Sequence, residues 1–431
     1  MPVVAWYLVT RVVILAVLVV AVVADLLEQD GAPAEGAGGF RIGGDGWFAA
    51  VSRGTWDQLN AWDAEWMRDI AERGYFGLDD VDGDPGHWRS LAFFPLMPYL
   101  MRGVSFVAFL PAEWAGALIS LVAGLVFAFA AAALAGRMAV RDGHSRDGAD
   151  RDGAARDGVR RSMIIAAVVV TTAPMAVVKL MPYTEALFLA LAGWGLVAIV
   201  DRRWGRAGLL ILLAGLTRST AMGLFIVLAI AVIAGDRRNP RAWLAVAVAP
   251  IGWAVYLLWS SAQLSDAGGY FGAQARGWNS EVDGGVATVR WLWESLGTSR
   301  ETGYAISAVL IVLVAATLAW AFTEWALARV AAWRGARVIA GGNRSSAFVD
   351  RWGRCWPVLL FSCLAVGQVL VSDGLMHSRP RLFLSGVLVL LVFAPVLARM
   401  RAFDRAWVLA AWVLGSAWVG AYMLVAFPWA I

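Results

Sequence analysis

Residues 114–135 read WAGALISLVAGLVFAFAAAALA, with no charged side chain among them. About 20 apolar residues in helical form match the ~30 Å hydrocarbon core of a bilayer. The apolar positions are continuous rather than alternating, which excludes a strand of a transmembrane barrel. The stretch predicts a membrane-spanning helix. Comparable runs fall at Val3–Ala24, Leu91–Leu110, Met163–Val178, Ala186–Val200, Ala207–Ala234, Ala242–Ala262, Tyr304–Leu327, Trp356–Val371, Leu382–Ala398 and Trp407–Trp429.

Composition agrees. Of 431 residues, 60% are hydrophobic and 16% charged, against about 45–50% and 25% in soluble domains. That excess excludes a soluble enzyme, a disordered chain and a peripheral anchor. The 24 Trp residues suit a protein with two membrane–water interfaces. The expected fold class is an all-α polytopic membrane protein, with one transmembrane domain over residues 1–431. The first run exceeds the 7–15-residue core of a signal peptide and lacks a basic start, so it reads as an uncleaved span. Cys355 and Cys363, eight positions apart, suggest neither a disulfide nor a metal site.

Arg placement sets the expected topology. Residues 137–161 carry seven Arg, and Arg-Asp-Gly recurs from 141, 146, 151 and 156. This segment reads as a low-complexity cytoplasmic linker. The Arg-rich stretches 201–206, 236–241, 329–354 and 399–405 fall on the same side. The net charge of +4 then reflects cytoplasmic loops, not nucleic-acid binding. Residues 25–90 become the first extracytoplasmic loop, acidic with 14 Asp/Glu against 5 Arg over 25–89. Residues 207–234 are too short for two full crossings and carry Thr217-Arg218-Ser219 in their middle. They predict two half-helices with Arg218 at the outward tip. Leu91–Leu110 contains Pro95, Pro98 and Arg102 and predicts a helix at the outer interface; the alternative is a full crossing, which would put 137–161 outside. The sum is nine spans and a re-entrant pair.

Candidate chemistry gathers on the outer side. Residues 61–75 form an amphipathic helix pattern that holds Asp63 at headgroup height, with Trp62 and Trp66 on the neighbouring stripe and Glu65 about 200° away, so the two acids are not a pair. Its simplest reading is a surface helix with solvated acids. The Phe93-Phe94-Pro95 turn suits membrane anchoring. Met181-Pro182-Tyr183-Thr184-Glu185 opens a span, where Pro182 fits a first turn and the Glu185 charge is favoured. Arg218 inside an apolar stretch costs about 2.5–3.5 kcal/mol on insertion scales, so it needs a partner or a wet cavity. Glu185 is one candidate partner; an anionic ligand such as a phosphate is the other. Met376-His377-Ser378-Arg379-Pro380-Arg381 puts three basic-type side chains outside, against the positive-inside trend. Gln274, Trp278 and Asn279 carry weak signals in an outer loop. No P-loop, dinucleotide fingerprint, zinc pattern or nucleophile elbow is present.

Taken in order, Trp62-Asp63-Ala64-Glu65 with Ile70-Ala71 and Gly74-Tyr75, Ala92-Phe93-Phe94-Pro95 with Pro98, Tyr183-Thr184-Glu185-Ala186-Leu187-Phe188, Thr217-Arg218-Ser219 and Pro380-Arg381-Leu382-Phe383 resemble the PIG-V mannosyltransferases. The matches span residues 62–383. Thr184 stands where eukaryotic members usually have Ser, and Thr220 where they commonly have Asn, which leaves the acceptor open. The resemblance implies a GT-C type glycosyltransferase fold, with Asp63 as the catalytic acid-loop residue. It implies a polyprenyl-phosphate sugar donor, typically mannose, and a lipid or glycan acceptor. As a bacterial relative, the chain is expected to be multi-pass in the plasma membrane with an extracytoplasmic site. The expected mechanism is inverting transfer with Asp63 as general base and Arg218, His377, Arg379 and Arg381 on the donor phosphate. Trp62, Glu65, Trp66, Tyr183 and Glu185 are expected to position substrate. No cofactor or metal is required, although Asp63, Glu65 and phosphate leave room for a shared divalent ion. Partners are membrane lipids and, in some family members, a small subunit. A transferase of another lipid-linked sugar and a lipid transporter are the rival readings.

Overall fold

The computed structural model describes residues 2–31, 46–81, 83–139, 149–298, 301–333 and 343–429. Among these there is no β-sheet, only the isolated bridges Val81–Asp84 and Val282–Ser372. Among the described residues, six helical stretches are long and apolar enough to cross a membrane: Pro2–Gln29, Ala112–Ala139, Pro240–Gln263, Thr302–Leu327, Met376–Arg399 and Ala402–Ala426. The protein is an all-α, multi-pass membrane protein.

The first span lies in α1 (Pro2–Gly31). After it come α2 (Trp47–Leu59), α3 (Asp63–Arg73), α4 (Gly86–Ser90) and α5 (Leu96–Ala108). Residues 32–45 of the expected first loop lie outside the described residues. At 13 residues, α5 is about 20 Å long and falls short of the ~30 Å core. It doubles back at Phe109, which is left-handed, onto α6 (Ala112–Ala139). Arg102 of α5 donates to the backbone carbonyls of Ile70, Ala71 and Glu72, capping the end of α3.

α7 (Ala149–Thr171) begins inside the Arg-Asp-Gly repeat, so the later part of the expected linker is helical; residues 140–148 lie outside the described residues. The expected Met163–Val178 span stops at Thr171 and continues as a 3-10 turn over Ala176–Lys179. Pro174 explains the break, because it removes a backbone donor and disfavours helix in the preceding residue. α8 (Thr184–Val200) then packs along α6, where Gly193 lets the two helices close up: a Cβ there would meet Ala130 Cβ at 2.9 Å. Small residues permit such approach between membrane helices.

Next come α9 (Trp204–Gly215) and α10 (Met222–Gly235), which form a hairpin. Its base is tied by the Trp204 indole N–H donating to Asp236 Oδ2 at 2.6 Å. Its tip is the segment 217–219. At 12 and 14 residues, these helices are about 18 and 21 Å long, half-helices rather than full crossings. Where α6 and α8 end, on the hairpin-base side, Arg137 pairs with Asp201 at 2.5 Å. Arg137 and Arg218 therefore stand at opposite ends of the helical layer.

The chain continues through α11 (Pro240–Val248), α12 (Ile251–Gln263), α13 (Gly269–Trp278), α14 (Val286–Gly297), α15 (Thr302–Trp333) and α16 (Asn343–Leu370), which is kinked at Cys355 before Pro357. It ends with α17 (Arg379–Leu382), a 3-10 stretch Phe383–Phe393, α18 (Ala394–Arg399) and α19 (Ala402–Ala421).

Candidate active site

At the Arg218 end of the layer lies a cavity of about 690 Å³. It is assembled from α3, the start of α8, the tip of the α9–α10 hairpin, α13 and the segment around α17. Each contributes a side chain that the sequence had singled out. Asp63 is the first residue of α3, Glu185 the second of α8, Arg218 the hairpin tip and Arg381 part of α17.

These four groups form one chain of alternating charge. Arg381 Nη1 donates to Asp63 Oδ2 at 2.7 Å. Its Nε lies 3.5 Å from Glu185 Oε1. Arg218 Nη1 lies 2.7 Å from the same Oε1 and donates to Thr184 Oγ1 at 2.9 Å. Glu185 is the buried hub, its side chain 3% exposed, and Asp63 at 25% is the more open end. The Arg218–Glu185 pairing anticipated from sequence is therefore made, and it coexists with access to the cavity. Burial pushes the Asp63 carboxyl up; Arg381 opposes this and Glu185 reinforces it.

Tyr183 braces the acid end. Its hydroxyl donates to Ala61 O at 3.1 Å and accepts from Asp63 N–H at 3.2 Å. The Arg381 guanidinium carbon stands 5.3 Å from the centre of its ring, a cation–π arrangement.

Other expected residues behave differently. Arg379 is buried at the cavity wall and donates to Thr288 Oγ1 and Ser372 O, tying α14 to the end of α16. His377 does not line the cavity; its ring packs among Tyr304, Phe427 and Trp429. Glu65 is exposed and Trp62 is 38% exposed, and neither lines the cavity. On a helix, two residues after Asp63 point to the opposite side. Trp66 stacks on Phe93, ring centroids 6.1 Å apart, and so backs the wall rather than forming it. Gln274 and Trp278 do line the cavity, while Asn279 does not.

Sequence reasoning missed Glu281 and Asp373, which also line the cavity. Glu281 N–H donates to Asp373 Oδ1 at 2.7 Å and Asp373 N–H to Glu281 O at 2.9 Å. The isolated Val282–Ser372 bridge seats the same loops. No local pattern announces a pairing across such a separation.

Among the described lining residues, Arg218, Arg379 and Arg381 face Asp63, Glu185, Glu281 and Asp373. Side-chain charge is thus nearly balanced. Helix starts add a local positive contribution. The helical runs beginning at Thr184 and Ser219 start at this cavity. A helix start presents N–H groups without intrahelical partners and about half a positive charge; at α3 those of Asp63, Ala64 and Glu65 are already taken by the Tyr183 hydroxyl, Ala61 O and Trp62 O. Two such starts beside Arg218 favour an anionic ligand group. A scan against protein-family models and a search of curated proteins both find no match for the chain.

Proposed function

We propose that the protein is a GT-C type membrane glycosyltransferase, which moves mannose from a polyprenyl-phosphate donor to a hydroxyl of a lipid or glycan acceptor. The observation that carries this reading is the buried Asp63–Arg381–Glu185–Arg218 chain, set beside the helix starts at Thr184 and Ser219, in a cavity at one end of the membrane domain. The ordered motifs resembling the PIG-V enzymes supply the sugar and donor class.

In this reading the acceptor hydroxyl approaches the Asp63 oxygen that Arg381 does not hold. Oxygen attacks the anomeric carbon from the face opposite the phosphate, so configuration inverts. The new C–O bond forms as the bond to phosphate breaks, the phosphate keeps the electron pair, and Asp63 takes the hydroxyl proton. A carboxyl raised by burial is a better base near neutral pH than an exposed one, and general-base help is worth about 10²–10⁴-fold. Arg218 and the helix starts at Thr184 and Ser219 stabilise the departing phosphate. Glu185 fixes both guanidinium groups in place. The site faces the extracytoplasmic side of a bacterial plasma membrane, away from Arg137.

A lipid transporter is disfavoured because such a protein needs polar groups along a path through the spans. Here the acidic and basic side chains of the cavity gather at one end. The test is transfer of radiolabel from polyprenyl-phosphate mannose in membranes carrying wild type or Asp63→Ala. Label entering a new product with wild type alone supports the reading. Transfer from a different lipid-linked sugar changes the substrate and keeps the class, and no transfer from any such donor overturns it.

A further inference from the structure

Asp63 is preceded by a residue in the wrong conformation for its type. Trp62 has φ 62° and ψ −120°, the geometry of the first central position of a type II′ turn, which glycine dominates. The Ala64 N–H donates to Ala61 O at 3.3 Å and closes that turn. An L-residue with a Cβ is strained there, and such strain persists only where surrounding structure over-determines it. Here the over-determining group is the Tyr183 hydroxyl. It bonds the carbonyl on one side of Trp62 and the N–H on the other, at Ala61 O and Asp63 N. Tyr183 is itself immobilised: it is 1% exposed, 120 residues away from Asp63 in sequence, and packed under the Arg381 guanidinium.

We propose that Tyr183 is a positioning residue for Asp63, acting by holding Ala61–Ala64 in this strained turn; the proposal rests on Asp63 being the catalytic base. The turn sets where α3 begins and so where the Asp63 carboxyl points. Without the hydroxyl, the peptide units flanking Trp62 rotate to relieve the strain, and the carboxyl leaves its place between Arg381 and the cavity. The contribution of Trp62 lies in its backbone, since its indole does not line the cavity.

The decisive experiment compares full-length protein in proteoliposomes as wild type, Tyr183→Phe, Trp62→Gly, Trp62→Ala and the two double variants. Tyr183→Phe keeps the ring beneath Arg381 and removes both hydrogen bonds. It is expected to lower kcat about tenfold, the equivalent of one or two hydrogen bonds, with donor KM changed less than about twofold. Glycine adopts the turn without strain, so Tyr183→Phe with Trp62→Gly is expected to recover kcat to within about threefold of wild type. Alanine removes the indole but keeps the Cβ, so Tyr183→Phe with Trp62→Ala stays slow. A merely structural tyrosine would not distinguish glycine from alanine at position 62. Tyr183→Phe with unchanged kcat, or equal behaviour of the two double variants, overturns the proposal. Melting temperature in detergent gives a readout independent of catalysis: Trp62→Gly is expected to melt above Trp62→Ala, and equal melting refutes the strained turn. Wild type inactive with every lipid-linked sugar, yet showing that melting order, would refute the transferase reading and leave the turn standing.

Discussion

Replacing Asp63 with Asn separates basicity from architecture. The amide oxygen still accepts from Arg381 Nη1, now 2.7 Å from the carboxylate, so the start of α3 stays in place. What is lost is one negative charge and the ability to take a proton. The alternating chain holds two acids and two guanidinium groups; after substitution it carries one net positive charge. The two consequences have opposite signs. Transfer loses its base, about 10²–10⁴ in kcat, or ~2.7–5.5 kcal/mol of barrier. The anionic donor meets a more positive cavity, so its KM stays level or falls. The pair is buried on the Arg381 side, 10% exposed against 25% for Asp63, and Asn keeps an acceptor for Arg381 without the charge that burial disfavours, so melting temperature is expected to change little. The assay is steady-state transfer by purified protein in proteoliposomes over a donor series, with melting temperature measured in parallel. A kcat within threefold of wild type would refute the base assignment. A kcat loss accompanied by a tenfold rise in donor KM would instead mark Asp63 as a binding group.

Glu185→Gln strands two buried guanidinium groups and is expected to cost about 3–5 kcal/mol, read as a lowered melting temperature. Arg218→Met leaves Glu185 with Arg381 and is expected to cost less; the reverse order would contradict Glu185 as hub. The burial that raises the Asp63 carboxyl predicts that kcat falls as pH drops through a value above the ordinary aspartate pKa of about 3.9, with that acid limb absent from the residual rate of Asp63→Asn. For stability the sign is the reverse: the folded protein binds this proton more tightly than the unfolded chain, so the carboxyl's contribution is favourable at low pH and is lost as pH rises through the raised value. Gly116→Ala places a Cβ 2.3 Å from Pro182 Cβ; overpacking there is expected to cost about 1–3 kcal/mol and, by shifting the neighbour of Tyr183, to lower kcat as well, measured by melting and by transfer.

Six of the nine expected spans were legible because lipid demands long uncharged helices, as in 114–135; among the described residues the runs at 163–178, 186–200 and 356–371 form shorter or broken helices. The hairpin with Arg218 at its tip was legible for a similar reason: a charge within an apolar run too short for two crossings has few places to go. The Glu185–Arg218 pair followed from the cost of leaving that charge alone. The junction of Asp63 with Arg381 was not legible as a contact, because nothing local couples residues 318 positions apart. His377 was misassigned to the cavity by proximity in sequence: on the short turn Met376–Ser378 it faces an aromatic cluster, whereas Arg381, four residues on, faces Asp63. Glu65 failed for a periodic reason, since two residues along α3 turn it away from the face that Asp63 presents; Trp66, three residues on, shares that face but lies behind Phe93. The strained turn at Trp62 was invisible to sequence, which predicts glycine at such a position.

The distance between Asp63 and Arg381 along the chain also sets an order of events during biogenesis. Helices enter the membrane from the N-terminus onward, so Asp63, then Glu185 and Arg218, are in place before Arg381 is synthesised. Until the segment at Met376–Arg399 inserts, Asp63 lacks its guanidinium partner and Glu185 depends on Arg218 alone. The last neutralising charge therefore arrives near the end of translation. A C-terminally truncated chain that lacks Arg381 keeps two carboxylates, Asp63 and Glu185, against the single guanidinium of Arg218.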